Sequence, residues 1–276
     1  MPDIHSGFQN VDATAQERAF FEFLDAAAAL PSIIRIREEM KARHGPLPGA
    51  RLLDAGCGVG HQVLALAPEI GPGGLACGLD LSTSLIAEAR RRAQTQSLTT
   101  QTRFEVADIT QPDGLSAWAL PEFDVVRVER VLMYLPSPLP VIDRLVQALA
   151  PGGHLVVFEF DYLGAFVDHP DAARTHAWMQ RVSTSVPSPM IGRQLPRLMR
   201  EMGLSEVIAR PQTVMTPLPM FRKVVQGTLD ALCQAGEMTR TELDAWWQEL
   251  EVLDAQGLFF AGFPGFVVSA RRVGGA

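Results

Sequence analysis

The chain has only three cysteines, Cys57, Cys77 and Cys233. They include no CxxC and lie too far apart to suggest a disulfide framework or a zinc site, which fits a reducing cytoplasm. Basic charge is not in excess either: 24 Lys and Arg stand against 31 Asp and Glu, a formal net charge of −7. The surface therefore has no general attraction for polyanions, and nucleic-acid binding is disfavoured as a main role. No stretch approaches the roughly 18 uninterrupted apolar residues of a membrane span, and the start MPDIHSGFQN lacks both a basic opening and an apolar leader core. The expectation is a soluble, unexported, cytoplasmic protein without stable membrane insertion. Among the six histidines no pair has the i,i+4 spacing of a metal motif with a nearby acid, so no metal is expected. What remains is 276 residues, 47% hydrophobic and 20% charged, enough for one large domain or two small ones with a continuous core.

The first stretch reads as helices. Thr14 and Glu17 have capping-box spacing, Phe20, Phe21, Leu24 and Ala28 follow at helical intervals, and Pro31 breaks the run. Ile33, Ile34, Ile36 and Met40 continue a second helix as far as the Gly45–Gly49 turn. From there short apolar runs, 51–55, 75–79, 103–107, 124–128 and 154–160, alternate with helical segments such as 85–93 and 141–149. That order predicts a doubly wound α/β fold with a parallel sheet covered on both faces. Past Phe160 the pattern lapses, apart from a helical patch at 172–182, then resumes at 195–209. A second helical insertion includes a Thr239/Glu242 capping box, and 265–271 forms a closing strand.

The strongest local signal is Leu53-Asp54-Ala55-Gly56-Cys57-Gly58-Val59-Gly60 between the first strand and a helix. Glycines there permit a tight turn and close approach of a ligand to backbone N–H groups at a helix N-terminus. A dinucleotide fingerprint would be G-x-G-x-x-G, whereas His61 follows Gly60 and the pattern is G-x-G-x-G. Asp80 ends the second run, placed to accept hydrogen bonds from both hydroxyls of a ribose, and Asp108 ends the third, placed for an exocyclic amine of adenine. Two carboxylates with no Lys or Arg in the turn suit a cationic ligand better than a pyrophosphate.

Taken in order, LDAGCGVG, GLDLS, VADI, FDVVRVERVLMYLPSP and LAPGGHLVVFEFDY resemble the motifs of class I S-adenosylmethionine-dependent methyltransferases of the small-molecule kind. The subgroup the chain is most similar to includes tailoring methyltransferases and quinone C-methyltransferases. The resemblance implies a Rossmann-like seven-stranded sheet with its last strand antiparallel. It also implies a helical N-terminal cap over residues 1–48, a cofactor-binding domain over 49–276, and cap insertions at about 161–192 and 214–258. By the same resemblance Gly56, Gly58 and Gly60 line the methionine portion and ribose of S-adenosyl-L-methionine, and Asp54 orders the turn or the amino group. Asp80 with Leu81 holds the ribose, Asp108 with Ile109 the adenine, and Glu129 walls the methionyl group. The implied partner is a small, aromatic or polycyclic acceptor methylated at N, C or O. A quinone precursor, an NAD-dependent oxidoreductase and a non-catalytic cofactor-binding protein are the rival readings, and a homodimer is left open.

In-line methyl transfer depends mainly on holding the acceptor about 3 Å from the methyl carbon, so a base is optional. Candidates for one are Tyr134 in the loop after the fourth strand, Asp161 (with Tyr162 beside it) after the fifth, and His169 and His176 in the first insertion. Arg18 and Arg35 are placed to neutralise the cofactor carboxylate. Phe166, Trp178, Met179, Met190, Phe221, Trp246, Trp247, Phe259 and Phe260 could line an apolar acceptor site, and the segment 8–11 could close over the cofactor.

Overall fold

A computed structural model describes residues 7, 8, 10–14, 16–115 and 122–274. Of the proposed closing segment 8–11, Gln9 lies outside the described residues. Helices α1 (Glu17–Ala28) and α2 (Pro31–His44) precede β1 (Arg51–Ala55), α3 (His61–Ile70), β2 (Leu75–Asp80), α4 (Thr83–Thr95), β3 (Thr102–Val106), β4 (Phe123–Glu129), α5 (Leu139–Gln147) and β5 (Leu149–Phe160). Then come β6 (Phe166–Val167), α6 (Ala172–Ser183), α7 (Ile191–Glu201), β7 (Ser205–Met215), α8 (Leu218–Gln234), α9 (Arg240–Ala255) and β8 (Ala261–Arg271).

The sheet runs β3-β2-β1-β4-β5-β8, with β6 and β7 also paired to β8. The first five strands are parallel, and β8 is antiparallel to β5, β6 and β7. The expected sheet of seven thus gains one strand, the two-residue β6, which pairs with Gly262 and Ala261 just beyond the stretch of β8 covered by β5. Strand order reverses between β1 and β4, and open α/β sheets bind ligands in the crevice at such a switch point.

Buried-on-both-faces strands explain the near-continuous apolar runs. On one side α3 and α4 bury Val63, Leu66, Ala67, Ile86 and Ala89 against Leu52, Ala76 and Phe104. A larger core joins Ile33, Ile36 and Met40 of α2 to β4, β5 and β8, so α2 covers the sheet as well as the site. Val11, Phe20, Phe23, Ala27, Val59, Leu85 and Met220 form a third cluster, in which the N-terminal segment and α8 meet above the glycine turn.

Two capping expectations separate. Thr239 and Glu242 make the reciprocal box at the start of α9. Thr14 does not cap α1: its hydroxyl donates to the Val11 carbonyl and accepts from Gln16 N–H, and α1 begins after Gln16 without a side-chain cap. The short 3-10 turn Val11–Ala13 has taken Thr14 as its own terminus. Pro31, instead of only breaking the chain, is the first residue of α2, where its missing N–H costs nothing. No helix among the described residues is long and apolar enough to cross a membrane.

Candidate functional site

A cavity of about 380 Å³ opens at the carboxyl ends of the strands, where the glycine turn, the acidic strand ends and the caps converge. The turn is clamped from β2. Gly56 and Cys57 N–H both donate to the Leu79 carbonyl, and Gly58 N–H donates to Asp80 Oδ2 at 2.9 Å. Gly56, Gly58 and Gly60 have φ of +78°, +55° and +81°, a left-handed path that β-carbons disfavour. Asp80 Oδ1 accepts Ser82 N–H at 3.0 Å. Each oxygen keeps a lone pair for a further donor. Burial raises the Asp80 pKa, against these backbone hydrogen bonds.

Asp54 is different. It is 4% exposed, lines the cavity, and no hydrogen bond from the described residues reaches its carboxylate. Burial pushes its pKa up to about 6, with Arg127 opposing. A buried carboxylate left without a donor is costly unless a cation meets it, so the observation fits a ligand with a positive group at this end. Leu81 and Ile109 also line the cavity, as does Asp108, whose oxygens accept from Thr110 and Gln111. Burial raises the Asp108 pKa and the Thr110 bonds lower it, with a net fall.

Glu129 lines the cavity at the end of β4 but is engaged: Arg37 of α2 holds it through two bonds of 2.9 and 3.0 Å, and Arg130 reaches it at 3.1 Å. Burial would raise its pKa, yet the guanidiniums outweigh burial and hold it near 2. Neither Arg18 nor Arg35 supplies this charge; both are exposed on their helices, and Arg18 pairs with Glu22. Arg37 is legible in hindsight, because it sits four residues after Ile33 on the buried face that Ile36 and Met40 also mark. His61 Nε2 contacts Asp25 at 2.7 Å while Arg92 grips the same carboxylate, tying α1, α3 and α4 together around the turn.

At the other end of the cavity stand Tyr134, Phe160, Tyr162, Val214, Thr216 and Phe263, while Met220 and Val224 of α8 reach the wall from above the glycine turn. The loop bearing Tyr134 is fixed by Glu159, fully buried on β5, whose Oε1 accepts Val131 N–H at 2.8 Å and Leu132 N–H at 2.6 Å. Burial raises the Glu159 pKa to about 7 despite these bonds. A charge inside the apolar run VVFEF was the sequence signal for it.

The other catalytic candidates are placed elsewhere. Asp161 is turned onto Arg193 of α7, whose Nε donates to it at 2.7 Å, and lies outside the cavity lining, unlike its neighbour Tyr162. His169 stacks on Trp246, its Nδ1 accepts Asp171 N–H, and its Nε2 faces Glu249 at 3.0 Å. His176 is exposed on α6. Alanine at His176 should therefore leave turnover and melting temperature within error of wild type; a tenfold loss of turnover would return it to the site. The nine insertion residues named above are absent from the lining as well. Six of them, Trp178, Met179, Phe221, Trp246, Trp247 and Phe259, pack into the main core, with Trp246 fully buried and its Nε1 donating to Thr175. Apolar size at helical spacing marked that core correctly as apolar, but not which cavity it faced.

The N-terminal segment is pinned beside the cavity mouth. Asp12 accepts from Ser82 Oγ, Thr83 N–H, Ser84 N–H and Ser84 Oγ, and Ser82 Oγ accepts Leu85 N–H, so the first three N–H groups of α4 are satisfied. Burial would raise the Asp12 pKa, but these bonds hold it near 2. Its contribution is present above the ordinary carboxylate range and is lost as pH falls toward 2. Asp12→Ala is expected to cost about 1 kcal/mol and to speed release of a bound cofactor severalfold in stopped-flow. An unchanged release rate would mean that the segment does not gate the cavity.

A family model described as a methyltransferase domain matches residues 47–203. The chain belongs to this family, the class I S-adenosylmethionine-dependent methyltransferases. It is 28% identical over 256 residues to an uncharacterized 37.1 kDa protein in transposon TN4556 of Streptomyces fradiae, covering 90% of this chain and 68% of that one. It is 36% identical over 126 residues to the trans-aconitate 2-methyltransferase of Variovorax paradoxus, covering 45% of this chain and 43% of that enzyme, so the match spans less than half of either protein. The fold is similar to phosphoethanolamine N-methyltransferase 2 of Haemonchus contortus in complex with S-adenosyl-L-methionine, at a TM-score of 0.56 and 15% identity, covering 99% of this chain and 60% of that one. At that identity the likeness is one of fold.

Proposed function

We propose that this methyltransferase binds S-adenosyl-L-methionine across the ends of β1 to β4 and methylates N, C or O of a small aromatic or polycyclic metabolite lying over β4, β5 and β8. This is a tailoring reaction of secondary metabolism. When bound, the cofactor supplies a methyl carbon on positive sulfur, displaced in line as the carbon–sulfur bond breaks. Asp80 holds the ribose hydroxyls with its remaining lone pairs. Asp108 takes the adenine amine, and Leu81 and Ile109 flank the ring. Asp54 meets the ammonium of the methionyl group. Arg37 and Arg130 surround Glu129 with two positive charges against one, leaving a surplus for the methionyl carboxylate.

One observation carries the mechanistic reading: the acceptor end of the cavity holds two tyrosines, a threonine and apolar side chains, while Glu129 is paired with arginine and Asp161 faces away. With no uncommitted carboxylate or imidazole there among the described residues, positioning supplies the rate. Tyr162 is buried, and burial drives its phenol well above the ordinary range, so it donates a hydrogen bond and does not take a proton. Phe160 and Phe263 present faces and edges that suit a flat acceptor and a nearby cation.

The test is a methyl-transfer screen with labelled cofactor against phenols, aromatic amines and a demethylated quinol, the reduced hydroquinone form. Transfer to phenols or amines, with a pH–rate profile that follows the ionisation of each acceptor, is the expected result. Transfer to the quinol alone would favour the quinone-precursor reading, and no transfer with tight cofactor binding would point to a non-catalytic binder.

A further inference from the structure

Arg127 lies in the middle of β4, fully buried, in a strand otherwise apolar around it. No carboxylate among the described residues hydrogen-bonds it. One terminal nitrogen donates to Gln62 Oε1 at 3.0 Å and lies 3.6 Å from Met40 Sδ; the other is 3.4 Å from His44 Nε2, and Nε has no partner. His44 Nδ1 lies 2.8 Å from the Gly45 carbonyl, so the pattern assigns a neutral ring that donates from Nδ1 and accepts at Nε2. Burial, with Arg127 alongside, holds the His44 pKa at about 4, in keeping with that neutral form. A buried guanidinium whose donors meet a neutral imidazole, a thioether and an amide carries a desolvation cost that those contacts do not repay, so its charge is open to use at longer range.

Two cavity groups are affected. Gln62, in the first turn of α3, lines the cavity, and with Oε1 committed to Arg127 its amide nitrogen is left as a donor without an acceptor among the described residues. Asp54 stands directly opposite Arg127 in the β1–β4 register, and the other charges acting on it are Glu129 from β4, Arg37 from α2 and Asp80 from β2. Arg37 is bound by Glu129, and Asp80 adds negative charge. Among these groups Arg127 is the cation with no carboxylate of its own.

We propose that Arg127 is a positioning residue for the amino-acid end of the cofactor: it fixes the Gln62 amide as a donor and keeps the Asp54 carboxylate charged to receive the ammonium. This rests on the reading of the cavity as the S-adenosylmethionine site.

The experiment is calorimetric titration of S-adenosylhomocysteine, which carries the same amino-acid group and cannot turn over, at intervals from pH 5 to 8, with a thermal melt of each protein. In the wild type, affinity falls as pH drops through about 6. In Arg127→Met the midpoint moves up by about one pH unit, because burial of Asp54 is no longer opposed, and affinity at pH 7 falls at least tenfold. Arg127→Lys keeps the charge, so the midpoint stays near wild type while affinity falls with the loss of Gln62 orientation. Should Arg127→Met not fold, Gln62→Glu serves in its place: it gives Arg127 a carboxylate, draws the cation from Asp54, and moves the midpoint up in the same direction. An Arg127→Met or Gln62→Glu protein that has a lower melting temperature but binds with the wild-type midpoint overturns the proposal. Failure of the wild type itself to bind at millimolar ligand overturns the cofactor reading and this inference with it.

Discussion

Gly56→Ala is expected to cost several kcal/mol and to lower cofactor affinity at least a hundredfold. A β-carbon at residue 56 would stand 2.3 Å from Val131 Cγ2 and 3.2 Å from Cγ1. Valine has little rotamer freedom with which to yield. Its backbone cannot yield either, since Val131 and Leu132 N–H are both held by Glu159. The methyl group must therefore displace the turn Leu132–Tyr134, which brings Met133 and Tyr134 to the cavity wall. Overpacking of this kind costs about 1–3 kcal/mol, and the positive φ of residue 56 adds about 1 kcal/mol, a fall of roughly 5–10 °C in melting temperature for a chain of this size. Gly71→Ala is the matched control. Its φ is +71°, and nothing lies within 4 Å of the added carbon, so it has the backbone penalty alone. It should lower the melting temperature by about 2 °C and leave binding untouched. If both variants behave alike, contact between the glycine turn and the β4 loop does not shape the site.

That contact illustrates what could be read in the sequence. Runs of apolar residues at 51–55, 75–79 and 124–128, each near a turn signal, defined strands whose register needs no side-chain detail, because both faces are buried. Acids at strand ends were legible for a similar reason: the carboxyl edge of a parallel sheet is where its ligands lie. Side chains whose role depends on facing were harder. Arg35 and Arg37 are two residues apart and so project about 200° apart around α2; type alone could not choose between them, whereas the period of Ile33, Ile36 and Met40 could. His169 was judged by its chemistry and by its place in an insertion, but a stacked Trp246 some eighty residues later decides its environment. Asp161 fell one residue beyond a strand buried on both faces, where a half-turn separates the cavity from Arg193. Buried charges inside strands, Arg127 and Glu159, were visible as breaks in apolar runs and were the unused signal. A charge that burial should forbid marks a place where packing was set aside for something else.

Asp54→Asn is expected to make the free protein more stable and the cofactor complex much weaker. The folded-state pKa of Asp54 is about 6 against an ordinary 3.8, with burial the largest cause and the opposing pull of Arg127 already included. Because the native state binds the proton more tightly than the unfolded chain, ionised Asp54 destabilises the fold at neutral pH, by about 2–3 kcal/mol. That penalty fades as pH falls through 6 and is gone below about 4. Asparagine has the same shape without the charge, so the variant should melt roughly 4–6 °C higher at pH 7.5 and level with wild type at pH 4. Bound cofactor cancels the difference. The ammonium that meets a carboxylate in the wild type would meet a neutral amide, with loss of a charge-assisted bond of about 1.5–3 kcal/mol and part of the cost of burying an unpaired cation. Affinity for S-adenosylhomocysteine should fall about a hundredfold, equivalent to about 2.7 kcal/mol. Paired melts with and without S-adenosylhomocysteine at pH 4 and pH 7.5, with calorimetry at 7.5, read both effects. A variant that is less stable at pH 7.5 would show that Asp54 is satisfied within the protein. One that binds as wild type does would move the ammonium elsewhere. The expected convergence, higher melting without ligand and about equal melting with saturating ligand, follows only if a carboxylate is kept buried and unpaired for a cation that arrives from outside.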